Sequence, residues 1–172
     1  RASFEMSAQI VGPTMTAPRS RHAARYVILG GAIAATLDIL YACGFSNLVY
    51  NVPPLRILQS VASGLLGAPA FTGGIATGAF GLLLHYLIAL CAAFVFYAAS
   101  RRFGWLVRHA IVAGIVFGLC VYGVMNFVVI PLSAFPRKLT FPPLILATGL
   151  FVHMFFVGVP IALGARAASR HA

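Results

Sequence analysis

The chain has 172 residues, of which 61% are hydrophobic and only 8% charged, and its formal net charge is +10. Soluble domains carry about 25% charged residues, so this composition excludes an ordinary water-soluble globule and defines an integral membrane protein. The positive charge does not mark a nucleic-acid partner. The twelve Lys and Arg residues stand outside the long apolar runs, mostly at their ends, where topology signals and contacts to anionic lipid headgroups belong.

Residues 1–25 are rich in Ser, Thr, Pro and Ala, lack the apolar core of a signal peptide and read as a flexible tail. Four apolar runs follow, each long enough for a bilayer, which needs about 20 residues: Tyr26–Tyr50, Ile75–Ser100, Ala110–Pro131 and Pro142–Ala165. Asn51-Val-Pro-Pro closes the first, Arg101-Arg102 the second, Pro131 the third and Arg166 the fourth, and residues 167–172 form a short tail. Tyr26, Tyr50 and Trp105 sit where interfacial aromatics belong. Short connections make consecutive helices antiparallel neighbours, which predicts an all-α, four-helix up-down membrane bundle.

The basic residues set an orientation. Arg1, Arg19, Arg21, Arg25, Arg101, Arg102, Arg108, Arg166 and Arg170 fall on one side, and Arg56, Arg137 and Lys138 on the other. The positive-inside rule puts both termini in the cytoplasm.

The first connection holds PPLRILQSVASGLLG. On a helical wheel Arg56, Gln59, Ser60, Ser63 and Gly67 form a polar stripe among Leu, Ile, Val and Ala. Two prolines suit a first helical turn. The segment, residues 54–67, is too short to span and reads as an amphipathic helix in the outer interface or a re-entrant piece. Its role is either a brace or a lid over the outer mouth of the bundle.

Asp38 and Glu5 are the only acids, and Glu5 lies in the tail. At about 1.5 Å per residue, Asp38 lies about 18 Å from the cytoplasmic end of the first span. His85 lies about 15 Å, and His153 about 16 Å, from the outer ends of the second and fourth spans. All three stand near the midplane of a core about 30 Å thick. Asn126 lies further out on the third span, with Tyr122 one turn away, and Tyr41 is one turn from Asp38. Gly30 and Ala34 precede Asp38 at four-residue spacing, Gly81 precedes His85, Gly149 precedes His153, and Gly114 and Gly118 precede Tyr122 and Asn126. Small residues at this spacing mark the faces where membrane helices touch. The polar residues thus share the packing faces, and Asp38 is expected to point at His85, His153 or both.

Three uses of such a cluster stand open. It is a hydrogen-bonded clasp that fixes helix register, or a proton, ion or ligand site in which Asp and His change charge. In the third, a cofactor binds: His85 and His153 ligate haem b axially, or join Asp38 on a metal ion. No CxxCH motif accompanies the histidines.

Other features carry less chemistry. Cys43, Cys91 and Cys120 lie in apolar runs without metal or disulfide spacing. FTGGIATG does not follow a strand, which argues against a phosphate loop. Pro160 frees the carbonyl of Phe156 and predicts a kink or hinge in the fourth span. His22, His109 and His171 lie beside basic residues at the cytoplasmic face, and no Ser–His–Asp arrangement stands out.

The segments LLLHYLIALCAAFVFYAASRRF, GIVFGLCVYGVMNFVVIPLSAFP and TGLFVHMFF together resemble the YagU-like family of small bacterial inner-membrane proteins. The likeness rests on hydrophobic pattern, His85, His153 and the Pro131 exit, and covers about half of the chain. The first connection departs from the family pattern in being short and helical. The resemblance implies a bacterial inner-membrane location and a role in acid tolerance, and it supplies no catalytic residues. The expected function is a proton- or solute-linked transport protein or an accessory subunit of a membrane complex, without enzymatic activity. A haem- or metal-binding redox protein is the alternative. The expected partners are the lipid bilayer and, through lateral association, a second copy or a larger assembly.

Overall fold

The computed structural model describes residues 19–136 and 140–171. Residues 1–18, Arg137 and Lys138, to which the sequence assigns tail and orientation roles, lie outside them.

Four helices are long and apolar enough to cross a membrane, and the chain is an all-α, multi-pass membrane protein. α1 runs over Arg19–Tyr50. It therefore takes in residues 19–25, which the sequence had assigned to the tail. Ala23 is 3% and Val27 1% exposed, so the small-residue stripe of Gly30 and Ala34 continues backwards for two turns and keeps that segment helical. Asn51, at φ 51°, ends α1 in the left-handed region that Asn tolerates.

α2 spans Pro54–Leu66 and stops at Gly67, whose φ of 65° lets its N–H return to the Ser63 carbonyl. A tight turn over Ala68–Thr72 leads into α3, Gly74–Arg102. A one-turn α4, Trp105–Arg108, precedes α5, Ala110–Leu132. The last helix, α6, covers Pro143–Ser169.

Two of these helices change winding. Met125–Val129 in α5 and His153–Gly158 in α6 are π-helical. Each wide turn ends two residues before a proline, Pro131 and Pro160. A proline ring clashes with the carbonyl four residues back, and a wider turn makes room for it. The kink expected at Pro160 is thus absorbed as a change of winding one turn earlier.

Glycine lets α6 approach two neighbours at backbone distance. A Cβ at Gly30 would stand 2.8 Å from the Pro160 carbonyl oxygen and 3.0 Å from Gly164. On the other side, a Cβ at Gly118 would overlap the His153 carbonyl, and one at Gly158 would overlap Gly114. These contacts, with Ala34, Ala93, Phe96, Ala113, Ile161, Ala162 and Ala165, fill the half of the bundle nearest the basic helix ends. Phe96 and Phe117 join α3 to α5 there, with ring centroids 4.9 Å apart. Outside the core lies an apolar belt in which Leu48, Ile75 and Leu132 are more than four-fifths exposed, as lipid-facing side chains are.

Gly81 serves a different contact from the one its spacing implied. A Cβ there would overlap the Leu58 carbonyl, so Gly81 seats α2 on α3 and does not join two spanning helices. Within the polar stripe of α2, Gln59 and Ser63 are turned to protein, 2% and 0% exposed, while Arg56 is exposed and Leu65 is 65% exposed.

Candidate functional site

A cavity of about 600 Å³ opens between α3 and α5, in the half of the bundle away from the basic ends. α3 gives it Leu84, His85, Ile88, Ala89 and Ala92, and α5 gives Val121, Tyr122, Met125, Asn126, Val129 and Ile130. Asp38 of α1 and Gly149 and His153 of α6 close the deep end. Ser60, Val61, Gly64 and Leu65 of α2, with Ser133, Phe135, Thr140 and Phe141 of the connection before α6, border the other end. Ala134 donates its N–H to the Gly64 carbonyl at 2.8 Å, which ties that connection to α2.

Five of the six polar residues singled out in the sequence, Asp38, His85, Tyr122, Asn126 and His153, line this one cavity. Tyr41 does not. It lines a separate cavity of about 280 Å³ with Ala147, Thr148, Phe151, Val152 and Phe156, and its buried hydroxyl has no hydrogen-bond partner among the described residues. Tyr41 and Asp38 are three positions apart, about 60° apart around the helix. That angle turns the two side chains to different neighbours.

The expected contact between Asp38 and an imidazole takes a looser form. His85 Nε2 lies 3.8 Å from Asp38 Oδ2, with the two side chains 15% and 21% exposed. The hydrogen bond goes elsewhere: His85 Nε2–H donates to the Ala35 carbonyl at 2.9 Å. A carbonyl only accepts, so Nε2 carries a proton, and in a neutral ring the lone pair is then on Nδ1. Among the described residues the Asp38 carboxylate accepts no hydrogen bond and is paired with no Lys or Arg. An ionised Asp at the centre of a bilayer costs roughly 2.5–3.5 kcal/mol.

His153 is oriented in the mirror-image manner. Its Nδ1–H donates to the Gly149 carbonyl at 3.0 Å, one turn back, which leaves Nε2 with the lone pair. Tyr122 packs edge-on against the ring, with centroids 5.1 Å apart. Gly149 makes room for that tyrosine, since a Cβ there would stand 3.0 Å from the phenol ring. Asn126 Nδ2 donates to the Tyr122 carbonyl at 2.9 Å within α5.

The three-ligand metal site does not form. Among the described residues no three His, Cys, Asp or Glu side chains stand close enough to hold one ion, so Asp38, His85 and His153 line the cavity without making a single coordination sphere. Midplane depth is shared by residues on several helices, but coordination also needs their side chains to converge on one point, and the rotation of each helix decides that.

Several polar groups fall outside the cluster expected from the sequence. Ser60 and Ser133 border the cavity and donate to Ile57 and Ile130 at 2.7 Å. Thr36 donates to the Ala32 carbonyl at 2.8 Å, so the Tyr86 hydroxyl donates to Thr36 across 2.7 Å, a second tie between α1 and α3. Their signal was position: Thr36 and Tyr86 lie within two residues of Asp38 and His85. Gln59 Nε2 donates to the Gly74 carbonyl at 2.9 Å, and Arg56 to the Phe71 carbonyl at 3.1 Å, which fastens α2 to the start of α3.

No protein-family model matches the chain, and no curated protein or solved structure matches it. Its class is defined by its own fold: a four-helix, multi-pass membrane protein with a largely apolar cavity that holds a few polar side chains.

Proposed function

We propose that the protein is a small carrier of the bacterial inner membrane, in which Asp38 takes up a proton and a solute alternately. The supporting observation is the Asp38 carboxylate, open to a 600 Å³ cavity and free of hydrogen bonds among the described residues. A carboxylate serving as a clasp is bonded across the helix interface; one left open in a cavity is available to a proton or a ligand. His85 borders the carboxylate at 3.8 Å without sharing a proton with it, since its Nε2–H is held by the Ala35 carbonyl. Packed alanine and glycine close the bundle toward the basic ends. A cavity in one half of the bundle and close packing in the other fit one state of an alternating carrier.

In this proposal both termini are cytoplasmic, by the positive-inside rule, and α2 faces the other side. The YagU-like resemblance supports an inner-membrane location, and anionic headgroups contact the basic helix ends. The protein acts alone, as a homo-oligomer or within a larger membrane assembly.

Reconstitution tests it. Liposomes containing the protein and an enclosed pH-sensitive dye are given a pH step. Wild type is expected to dissipate the gradient faster than empty liposomes, and Asp38→Asn to return the rate to background. Equal rates for the two proteins would remove Asp38 from the mechanism.

Haem b is the second candidate occupant, favoured by one observation. Each histidine ties one nitrogen to a backbone carbonyl and leaves the other with its lone pair, the arrangement that orients histidine ligands. A Soret band that shifts on reduction and is lost in both His85→Ala and His153→Ala would establish it. A colourless protein would discard it.

A further inference from the structure

We infer that the cavity binds a protonated lipophilic amine, with Asp38 as its charge partner; this rests on the proposed use of the cavity as a solute site. The wall presents mostly hydrogen-bond acceptors. His85 and His153 each give an N–H to a backbone carbonyl, at 2.9 and 3.0 Å, and keep a lone pair. Ser60 and Ser133 give their hydroxyl protons to the Ile57 and Ile130 carbonyls at 2.7 Å, and the Ser133 oxygen in turn accepts the Phe135 N–H at 3.2 Å. Asn126 spends one N–H on the Tyr122 carbonyl, which leaves its Oδ1 unspent. With the Asp38 carboxylate these groups offer lone pairs and one negative charge. The second N–H of Asn126 and the hydroxyls of Tyr122 and Thr140 are the donors that remain.

Complementarity follows from that balance. An anion, or a ligand rich in carbonyls such as a quinone, would set lone pairs against lone pairs. Among the described residues no Lys or Arg lines the cavity to receive one. An ammonium group brings N–H donors and the counter-charge that Asp38 lacks. The remaining wall is apolar and aromatic, with Ile88, Val121, Phe135 and Phe141, so the amine carries a hydrophobic body. Aromatic faces also attract a cation. A volume of about 600 Å³ lies within the range of small-molecule sites, about 300–1,000 Å³.

Three probes of one shape test the inference on the full chain in detergent micelles: naphthylethylamine, naphthylethanol and naphthylacetate, followed by naphthalene fluorescence. The amine is expected to bind saturably, about tenfold or more tighter than the alcohol, and the acetate not to bind. Asp38→Asn is expected to bring the amine down to the affinity of the alcohol. The inference is overturned if the alcohol or acetate binds as tightly as the amine, if Asp38→Asn leaves the amine unaffected, or if amine uptake never saturates. Should Asp38→Asn fail to fold, the three-probe series on wild type decides alone. Saturable amine binding without Asp38-dependent proton flux would leave the ligand class standing and remove transport. Asp38-dependent flux without amine preference would do the reverse.

Discussion

His85 stands 3.8 Å from Asp38 without being bonded to it, because its Nε2–H is already given to the Ala35 carbonyl at 2.9 Å. The two residues are neighbours in a cavity wall, and the bond His85 makes to α1 goes to its backbone. Stability and function are therefore expected to separate. Asp38→Asn removes the charge and keeps the α1–α3 hydrogen bonds, so its unfolding free energy should stay within about 1 kcal/mol of wild type. His85→Ala loses an interhelical hydrogen bond, worth on average about 0.6 and at most about 1.7 kcal/mol in a membrane protein, in addition to packing. Thermal unfolding in detergent compares them. A larger loss in Asp38→Asn than in His85→Ala would identify the pair as a structural clasp.

The glycines divide into two classes, those that meet a neighbouring backbone and those that face open space. A Cβ at Gly158 overlaps the backbone of Gly114, and one at Gly118 overlaps the His153 carbonyl, while Gly123 and Gly44 have nothing within 4 Å. Gly158→Ala is expected to cost about 1–3 kcal/mol, since backbone cannot yield as a side chain does. Gly123→Ala and Gly44→Ala are expected to stabilise by up to about 1 kcal/mol through helix propensity. Melting temperatures of the three variants in one detergent decide this, and a tolerated Gly158→Ala would contradict the α5–α6 packing.

α2 is held by polar contacts turned inward. Gln59, 2% exposed, bonds the Gly74 carbonyl at 2.9 Å. Gln59→Leu removes that bond and is expected to weaken docking of α2 by about 1–2 kcal/mol. Hydrogen exchange should quicken in residues 54–66 and stay unchanged in α5 and α6. Unchanged protection of α2 would show that the Gly78 and Gly81 contacts suffice to hold it.

Orientation is open to direct test by a membrane-impermeant thiol reagent, in a background where Cys43, Cys91 and Cys120 are replaced by Ala. Gly104→Cys, with nothing within 4 Å of its Cβ position, lies at the basic end. Ala68→Cys is exposed at the α2 end. With cytoplasmic termini, intact cells should label Ala68→Cys, and Gly104→Cys should label only after permeabilisation. The opposite pattern would reverse the topology.

Sequence alone determined the four spans and set an expected depth for each polar residue. A bilayer imposes a fixed apolar length, and a rise of about 1.5 Å per residue converts position into depth. Only the tertiary structure decided which way each side chain turns. Tyr41 shares the depth of Asp38 and lines another cavity. The stripe of α2 was visible on a helical wheel, but whether it meets water or protein depends on Gly78 and Gly81 of α3. The prolines announced a disturbance, while the π turns at Met125–Val129 and His153–Gly158 fixed its form. Each wide turn shifts helical register, and the faces of Asn126 and His153 turn with it. Composition and period are properties of one helix, whereas a cavity forms from the rotation of several helices against one another.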